Sequence, residues 1–204
     1  MKISIIVEGK TEKVFIPHLR KYLEVRLPTS MPKFDTLPYD GRIPTNGKLK
    51  RVVENLLTGK NASNYVLALT DVYTGSTPPD FIDAADAKKK MRSWVGPEPR
   101  FYPHAAQHDF EAWLLPYWPT IQKMAGHNMN PPGGNPETVN HHRPPAEHIK
   151  EIFEKGKCRD SYIKPRDAGR ILQDNDLALA VTQCSELKAF VNTIISLCGG
   201  VVIS

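Results

Sequence analysis

Three stretches of this chain place carboxylates directly after runs of apolar residues, and that placement is where its chemistry is to be sought. Glu8 and Glu12 lie in Val7-Glu8-Gly9-Lys10-Thr11-Glu12, immediately after Ile3-Ser4-Ile5-Ile6. Asp71 follows Tyr65-Val66-Leu67-Ala68-Leu69-Thr70, the clearest buried-strand signature in the sequence. Asp109 and Glu111 lie in His108-Asp109-Phe110-Glu111-Ala112, just after a further strand-like run at residues 100–106. Short apolar runs bounded by turn residues read as buried strands. If the sheet is parallel, the C-terminal ends of its strands share one edge, which is where ligands collect in open α/β sheets.

Carboxylates gathered on one edge raise one another's pKa unless a cation neutralises them. Mg²⁺ or Mn²⁺ suits such an all-oxygen site, keeping several waters and the phosphate oxygens of a substrate. One or two such ions generate a hydroxide and clamp the attacking and leaving oxygens of an in-line displacement. The pattern therefore points to phosphoryl transfer, most simply phosphodiester hydrolysis, with Glu8, Glu12, Asp71, Asp109 and Glu111 as candidate metal ligands. Each acid also has a structural reading, because carboxylates at strand ends often cap the following helix and are favoured by its dipole. Their joint occurrence at three strand ends favours the site.

The elements that must position these groups alternate along the first half of the chain. A strand at residues 2–7 leads into a helix beginning near Thr11, where Phe15, Leu19, Tyr22 and Leu23 recur at helical spacing. A short second strand is expected at 33–39, a loop punctuated by Asp40-Gly41 and Asn46-Gly47 follows, and a second helix carries Leu49, Val52, Val53, Leu56 and Leu57 to its end at Gly59. The strand at 65–70 is followed by a third helix from about 81 to 95 and a fourth strand at 100–106. Four strand–helix alternations predict a doubly wound parallel sheet. Residues 116–145 carry little periodicity and much Pro, Gly, Asn and His, which predicts an excursion over the surface. Helices are expected around 146–156, 166–173 and 183–197, and the last six residues form either an edge strand or a frayed end.

With 204 residues the chain suffices for one α/β domain, or for a core with a helical appendage. No apolar stretch approaches bilayer length, and Lys2 leads straight into a strand-like run, unlike a signal peptide. Cys158, Cys184 and Cys198 are widely spaced, without the spacing of a zinc site, and read as reduced thiols of a cytoplasmic protein. A formal charge of +5 leans modestly toward polyanionic partners. Lys48, Lys50 and Arg51, and Lys88, Lys89, Lys90 and Arg92, form basic runs that are more often solvated helix faces than binding patches. Gly9-Lys10-Thr11 imitates the end of a P-loop, but that motif needs a glycine five positions earlier, where Ser4 stands inside the strand. A phosphate-cradling loop is excluded there.

Taken together, these residues resemble a Toprim catalytic core, which has a glutamate after its first strand and an acidic motif after its third. More closely, the chain resembles a bacterial family of uncharacterised Toprim-like proteins related to the OLD (overcoming lysogenization defect) nucleases. The resemblance rests on Val7-Glu8-Gly9-Lys10-Thr11-Glu12, Asp71-Val72-Tyr73-Thr74-Gly75, His108-Asp109-Phe110-Glu111-Ala112, Pro136-Glu137-Thr138 and Tyr162-Ile163-Lys164, in that order. It implies an α/β fold with a compact parallel sheet of about four strands, flanked by helices. Residues 1–115 would form the core, and 116–204 a loop-rich and helical extension packed on it.

It further implies Mg²⁺- or Mn²⁺-dependent nicking or cleavage of nucleic acid, alongside a partner ATPase of AAA or ABC type, in defence against phage. The oligomeric state is left open. In that frame Glu8 is a metal ligand or general base, Asp71 a direct ligand, and Glu111 completes the site with Glu12 and Asp109. Lys164 stabilises charge developing on phosphate. His108 either hydrogen-bonds a site carboxylate or the scissile phosphate, or is structural beside Phe110. Tyr73 stands where Toprim enzymes carry a second aspartate, and Asp109 replaces a glutamate. The first departure motivates an alternative, a non-catalytic nucleic-acid-binding or regulatory subunit of an ATPase complex.

Overall fold

Alternation along the strands sets the layers of the molecule, whose computed structural model describes residues 1–39, 41–74, 76–156, 158 and 161–204. In β1 (Lys2–Val7), Ile3, Ile5 and Val7 face one layer while Ile6 faces the other. In β3 (Tyr65–Asp71), Leu67 and Leu69 join the first layer, and Val66 and Ala68 the second. A strand buried on both faces is nearly continuously apolar, as parallel sheets require. All four strands run parallel, in the order β2-β1-β3-β4, with β2 at Lys33–Pro38 and β4 at Phe101–Ala106. Pro38 and Pro103 sit in the two edge strands, where a missing N–H is tolerated.

The smaller layer consists of α2 (Asn46–Thr58) and α3 (Ala84–Val95), which supply Leu49, Val53, Leu57, Ala87 and Met91. The larger layer begins with α1 (Lys10–Glu24), whose Phe15, Leu19 and Leu23 cover β1 and β3. It continues with a 3-10 helix at Phe110–Tyr117 and with α4 (Trp118–Ala125), α5 (Pro145–Lys155), α6 (Lys164–Gln173), α7 (Leu177–Gln183) and α8 (Ser185–Leu197). Residues from both halves of the chain share this one core: Phe15 lies edge-on to Phe110, and Trp113 stacks against Phe190 of α8. No helix among the described residues is long and apolar enough to cross a membrane.

Several sequence-based boundaries shift, each for a physical reason. The third helix starts at Ala84 and not near Phe81, because Asp83 caps it by accepting the Asp86 N–H at 2.7 Å. Phe81 is nonetheless buried, reaching the same layer from the loop. Residues 116–145 are not wholly irregular, since α4 and a short 3-10 turn at Pro136–Thr138 lie within them. The expected helix at 183–197 is α8, starting two residues later, and it is preceded by α7 at Leu177–Gln183, where no helix was expected; α6 begins two residues early with Pro165 in its first turn. The C-terminal residues form no strand; Asn192 holds Ile203 through bonds of 2.8 and 2.9 Å. Asp40 and Gly75, named in the expected loop and in the third-strand motif, lie outside the described residues.

Candidate metal centre

The chain goes from β1 outward to β2, then returns to place β3 on the other side of β1. The order of strands therefore reverses between β1 and β3, and the crevice beyond their carboxyl ends is the expected ligand position in such a sheet. Glu8 and Asp71 stand at that point. The carboxylate of Glu8 reaches across it, with Oε1 accepting the Asp71 backbone N–H at 3.1 Å and the Thr70 hydroxyl beside it. Thr70, which sequence reasoning missed, is itself buried. Only its position one residue before a strand-end acid could have signalled it.

The other carboxylates come from the two segments that leave this edge. Glu12, in the first turn of α1, turns back so that Oε2 accepts the Gly9 N–H at 3.1 Å. That bond, with the favourable helix dipole, is a capping contact. Asp109 precedes the 3-10 helix, and its Oδ2 accepts the Ala146 N–H at 3.1 Å from the first turn of α5. Its Oδ1 is buried without a hydrogen-bond partner. Glu111, 1% exposed, accepts the Tyr162 hydroxyl at 3.2 Å and pairs with Lys164 Nζ at 3.1 Å. The Tyr162-Ile163-Lys164 segment thus closes over the end of the sheet, its lysine half-exposed at the start of α6.

These groups feel one another's charge. Burial pushes Glu8 up to about 7 against the opposing hydrogen bonds from Thr70 and Asp71, with Glu12 adding to the rise. Burial also raises Glu12, with Glu111 contributing. Asp71 is driven well above the usual carboxylate range by burial and then by Glu8, Glu12, Asp109 and Glu111. Burial, then repulsion from Glu111, lifts Asp109 to about 8. For Lys164 burial alone would lower the pKa, but Glu111, Asp109 and Asp71 outweigh it and raise it. Five acids and one cation gather at this edge, and burial with mutual repulsion raises the proton affinity of Glu8, Glu12, Asp71 and Asp109.

His108 and Tyr73, near Asp109 and Asp71 in the chain, meet each other. His108 adopts φ 69°, a left-handed conformation uncommon outside glycine, and its ring lies parallel to Tyr73 with centroids 5.3 Å apart. Burial lowers its pKa. Tyr73 in turn donates its hydroxyl to Asn140 Oδ1 at 2.9 Å. The second basic run is largely engaged within the protein: Lys88 pairs with Glu186 at 2.6 Å, Lys90 with Asp86 at 2.9 Å, and Arg92 donates to the Glu98 carbonyl at 3.1 Å. Cys158, Cys184 and Cys198 are free thiols.

Among the described residues, no three His, Cys, Asp or Glu side chains are disposed to hold one metal ion as they stand. Glu8, Glu12, Asp109 and Glu111 are each turned onto a protein donor. The donor set itself nevertheless fits a hard divalent cation, with all-oxygen ligands, raised proton affinities and one orphaned buried oxygen on Asp109.

Two solved structures share this architecture. The C-terminal region of the Burkholderia pseudomallei OLD protein is 13% identical, with a TM-score of 0.54 over 97% of this chain and 98% of that one. The C-terminal region of the Xanthomonas campestris pv. campestris OLD protein is 11% identical, with a TM-score of 0.50 over 97% of this chain and 95% of that one. At identities this low, the likeness shows a shared fold alone. No curated protein sequence matches the chain. The profile of the family described as "Domain of unknown function (DUF4276)" matches residues 7–195, so the chain belongs to that family.

Proposed function

We propose that this protein is a divalent-metal-dependent nuclease of the Toprim type, hydrolysing or nicking phosphodiester bonds. The observation that carries the reading is the meeting of Glu8 and Asp71 at the topological switch point, both with raised proton affinity. Buried acids that repel one another have little structural use, whereas a divalent cation converts that repulsion into binding energy. Glu8 and Asp71 would hold Mg²⁺ or Mn²⁺, with Glu111, Asp109 and Glu12 completing the set by turning from their present donors. A bound ion of this kind polarises a phosphoryl oxygen and lowers the pKa of attached water.

The chain's own groups supply the rest. Glu8 would serve either as a ligand of that ion or as the general base that accepts a proton from the attacking water. Lys164 places a fixed positive charge beside Glu111, where it can offset charge developing on the phosphate. His108, whose ring is stacked on Tyr73, would either hydrogen-bond the scissile phosphate or a site carboxylate, or serve structurally. The fold shared with the C-terminal regions of OLD proteins supports a cytoplasmic role in phage defence beside a partner ATPase, with nucleic acid as substrate.

A second reading rests on Tyr73, which occupies the second acidic position of the third-strand motif. In it the core binds nucleic acid and regulates an ATPase without cutting. Purified protein incubated with plasmid and single-stranded DNA or RNA, with Mg²⁺ or Mn²⁺, separates the two. Metal-dependent cleavage lost in Glu8→Gln and Asp71→Asn supports the nuclease; binding without turnover, indifferent to Glu8→Gln, supports the regulator.

A further inference from the structure

Two residues beyond Asp71, the side chain of Tyr73 is 41% exposed, yet it is held as firmly as a core residue. Its backbone N–H donates to the His108 carbonyl at 2.8 Å, and its hydroxyl to Asn140 Oδ1 at 2.9 Å. Its ring lies on the His108 imidazole at 5.3 Å with an interplanar angle of 22°. His108 is itself fixed in a positive-φ conformation, a strained state that surrounding structure must maintain and that clusters at ligand-binding sites. The same histidine lines a cavity of about 570 Å³ together with Gln107, Asn135, Glu137, Thr138, Ser185 and Glu186. The stacked pair thus joins two chain segments that carry site acids, Tyr73 two residues after Asp71 and His108 one before Asp109.

A rigid aromatic ring with one face backed and the other open is what an unpaired base requires. Stacking on such a ring tolerates any base, because every base has a π-face, and little side-chain entropy is lost when the ring is already fixed. A paired base in a duplex presents only its edge and offers no face to stack. Resting on the proposed nuclease reading and naming its substrate class, we propose that Tyr73, backed by His108 and anchored by Asn140, is a stacking platform for an unpaired nucleobase. The preferred substrate is then single-stranded nucleic acid, or a single-stranded segment within a duplex, with the phosphate next to the stacked base delivered to Glu8 and Asp71.

Fluorescence anisotropy on the full chain, with Ca²⁺ in place of Mg²⁺, tests this with three probes: a labelled single strand, the same strand with abasic positions, and the duplex. Wild type is expected to bind the intact strand roughly 5- to 100-fold more tightly than the abasic one, the range that stacking of a base on an aromatic ring supplies. Tyr73→Ala should bring the intact strand down to the abasic affinity while leaving the duplex unchanged, and Tyr73→Phe should stay within a few-fold of wild type. Thermal unfolding of Tyr73→Ala checks its folding, and the abasic comparison on wild type needs no variant. Equal binding of intact and abasic strands by wild type, or wild-type affinity in a folded Tyr73→Ala, overturns the platform and leaves the nuclease reading standing. Failure of wild type to bind any of the three probes removes the nuclease reading and the platform with it.

Discussion

Two sets of buried carboxylates occupy this molecule, and they differ in what surrounds them. Glu137, 5% exposed, accepts the Trp113 indole N–H at 3.1 Å, the Ser185 hydroxyl at 2.8 Å and the Glu186 N–H at 3.0 Å. Asp167, fully buried, accepts the Ile163 N–H at 2.8 Å and pairs with Arg166 at 2.9 Å. Both are fully provided with donors and tie helices to the core. At the switch point, by contrast, Glu8, Asp71 and Asp109 have donors too few to offset burial and mutual repulsion, so their protons are held tightly. The same side-chain chemistry serves as mortar in one place and, in the function proposed above, as a cation trap in the other. What separates them is the balance of donors against like charge.

That contrast is broken most severely by removing a switch-point acid. Asp71→Asn should lower metal-dependent cleavage by about 10²- to 10³-fold, the scale of losing one group that stabilises transition-state charge. Its thermal unfolding temperature should not fall, because a neutral amide of the same shape replaces a carboxyl whose charged form is disfavoured by burial and like charge; a destabilised and still active variant would erase the distinction.

The pH dependence of stability sharpens it further. Glu8 titrates at about 7 in the folded chain and at 4.5 when free, so the folded state holds the extra proton between those values. Stability contributed by Glu8 is therefore present below pH 4.5 and lost as pH rises to about 7, by about 3 kcal/mol. Comparing wild type with Glu8→Gln by denaturant unfolding at pH 5 and pH 8, without metal, isolates this loss. Mn²⁺ should restore stability at pH 8 and do little at pH 5. Asp109 extends the same window to about 8.

The structural set should behave in the opposite sense. Glu137→Ala leaves the Trp113 and Glu186 donors unmet and should destabilise by about 2 kcal/mol, with no change in the Mn²⁺ concentration needed for activity. Smallest of all, Lys88→Ala removes a half-exposed ion pair with Glu186 and should shift stability by less than about 1 kcal/mol.

Much of this contrast was legible in the sequence on one side only. The strands ending in Glu8 and Asp71 announce themselves as short apolar runs, and parallel pairing then fixes which edge their acids share. The Pro136-Glu137-Thr138 segment was noticed, but nothing in its residues reveals that Glu137 is spent on Trp113 and Ser185, which lie 24 and 48 positions away. The 3-10 helix at Phe110–Tyr117 escaped because it is buried nearly all round and broken by Pro116, leaving no amphipathic period. α7 escaped because its seven residues, Leu177–Gln183, are too few to establish a helical period. Glu12 was read as a ligand from its spacing to Glu8, whereas its present bond is to Gly9, a local contact that spacing alone does not distinguish. Asn140, which anchors Tyr73, lies in a loop without periodicity and carried no signal.

Calorimetric titration of Mn²⁺ into the metal-free protein at pH 8 addresses the central claim most directly. The account predicts binding by wild type, proton release on binding because raised carboxylates must ionise, and affinity reduced at least about tenfold in Glu8→Gln and in Asp71→Asn. Wild type that binds no Mn²⁺, or variants that bind it as tightly as wild type does, would contradict it.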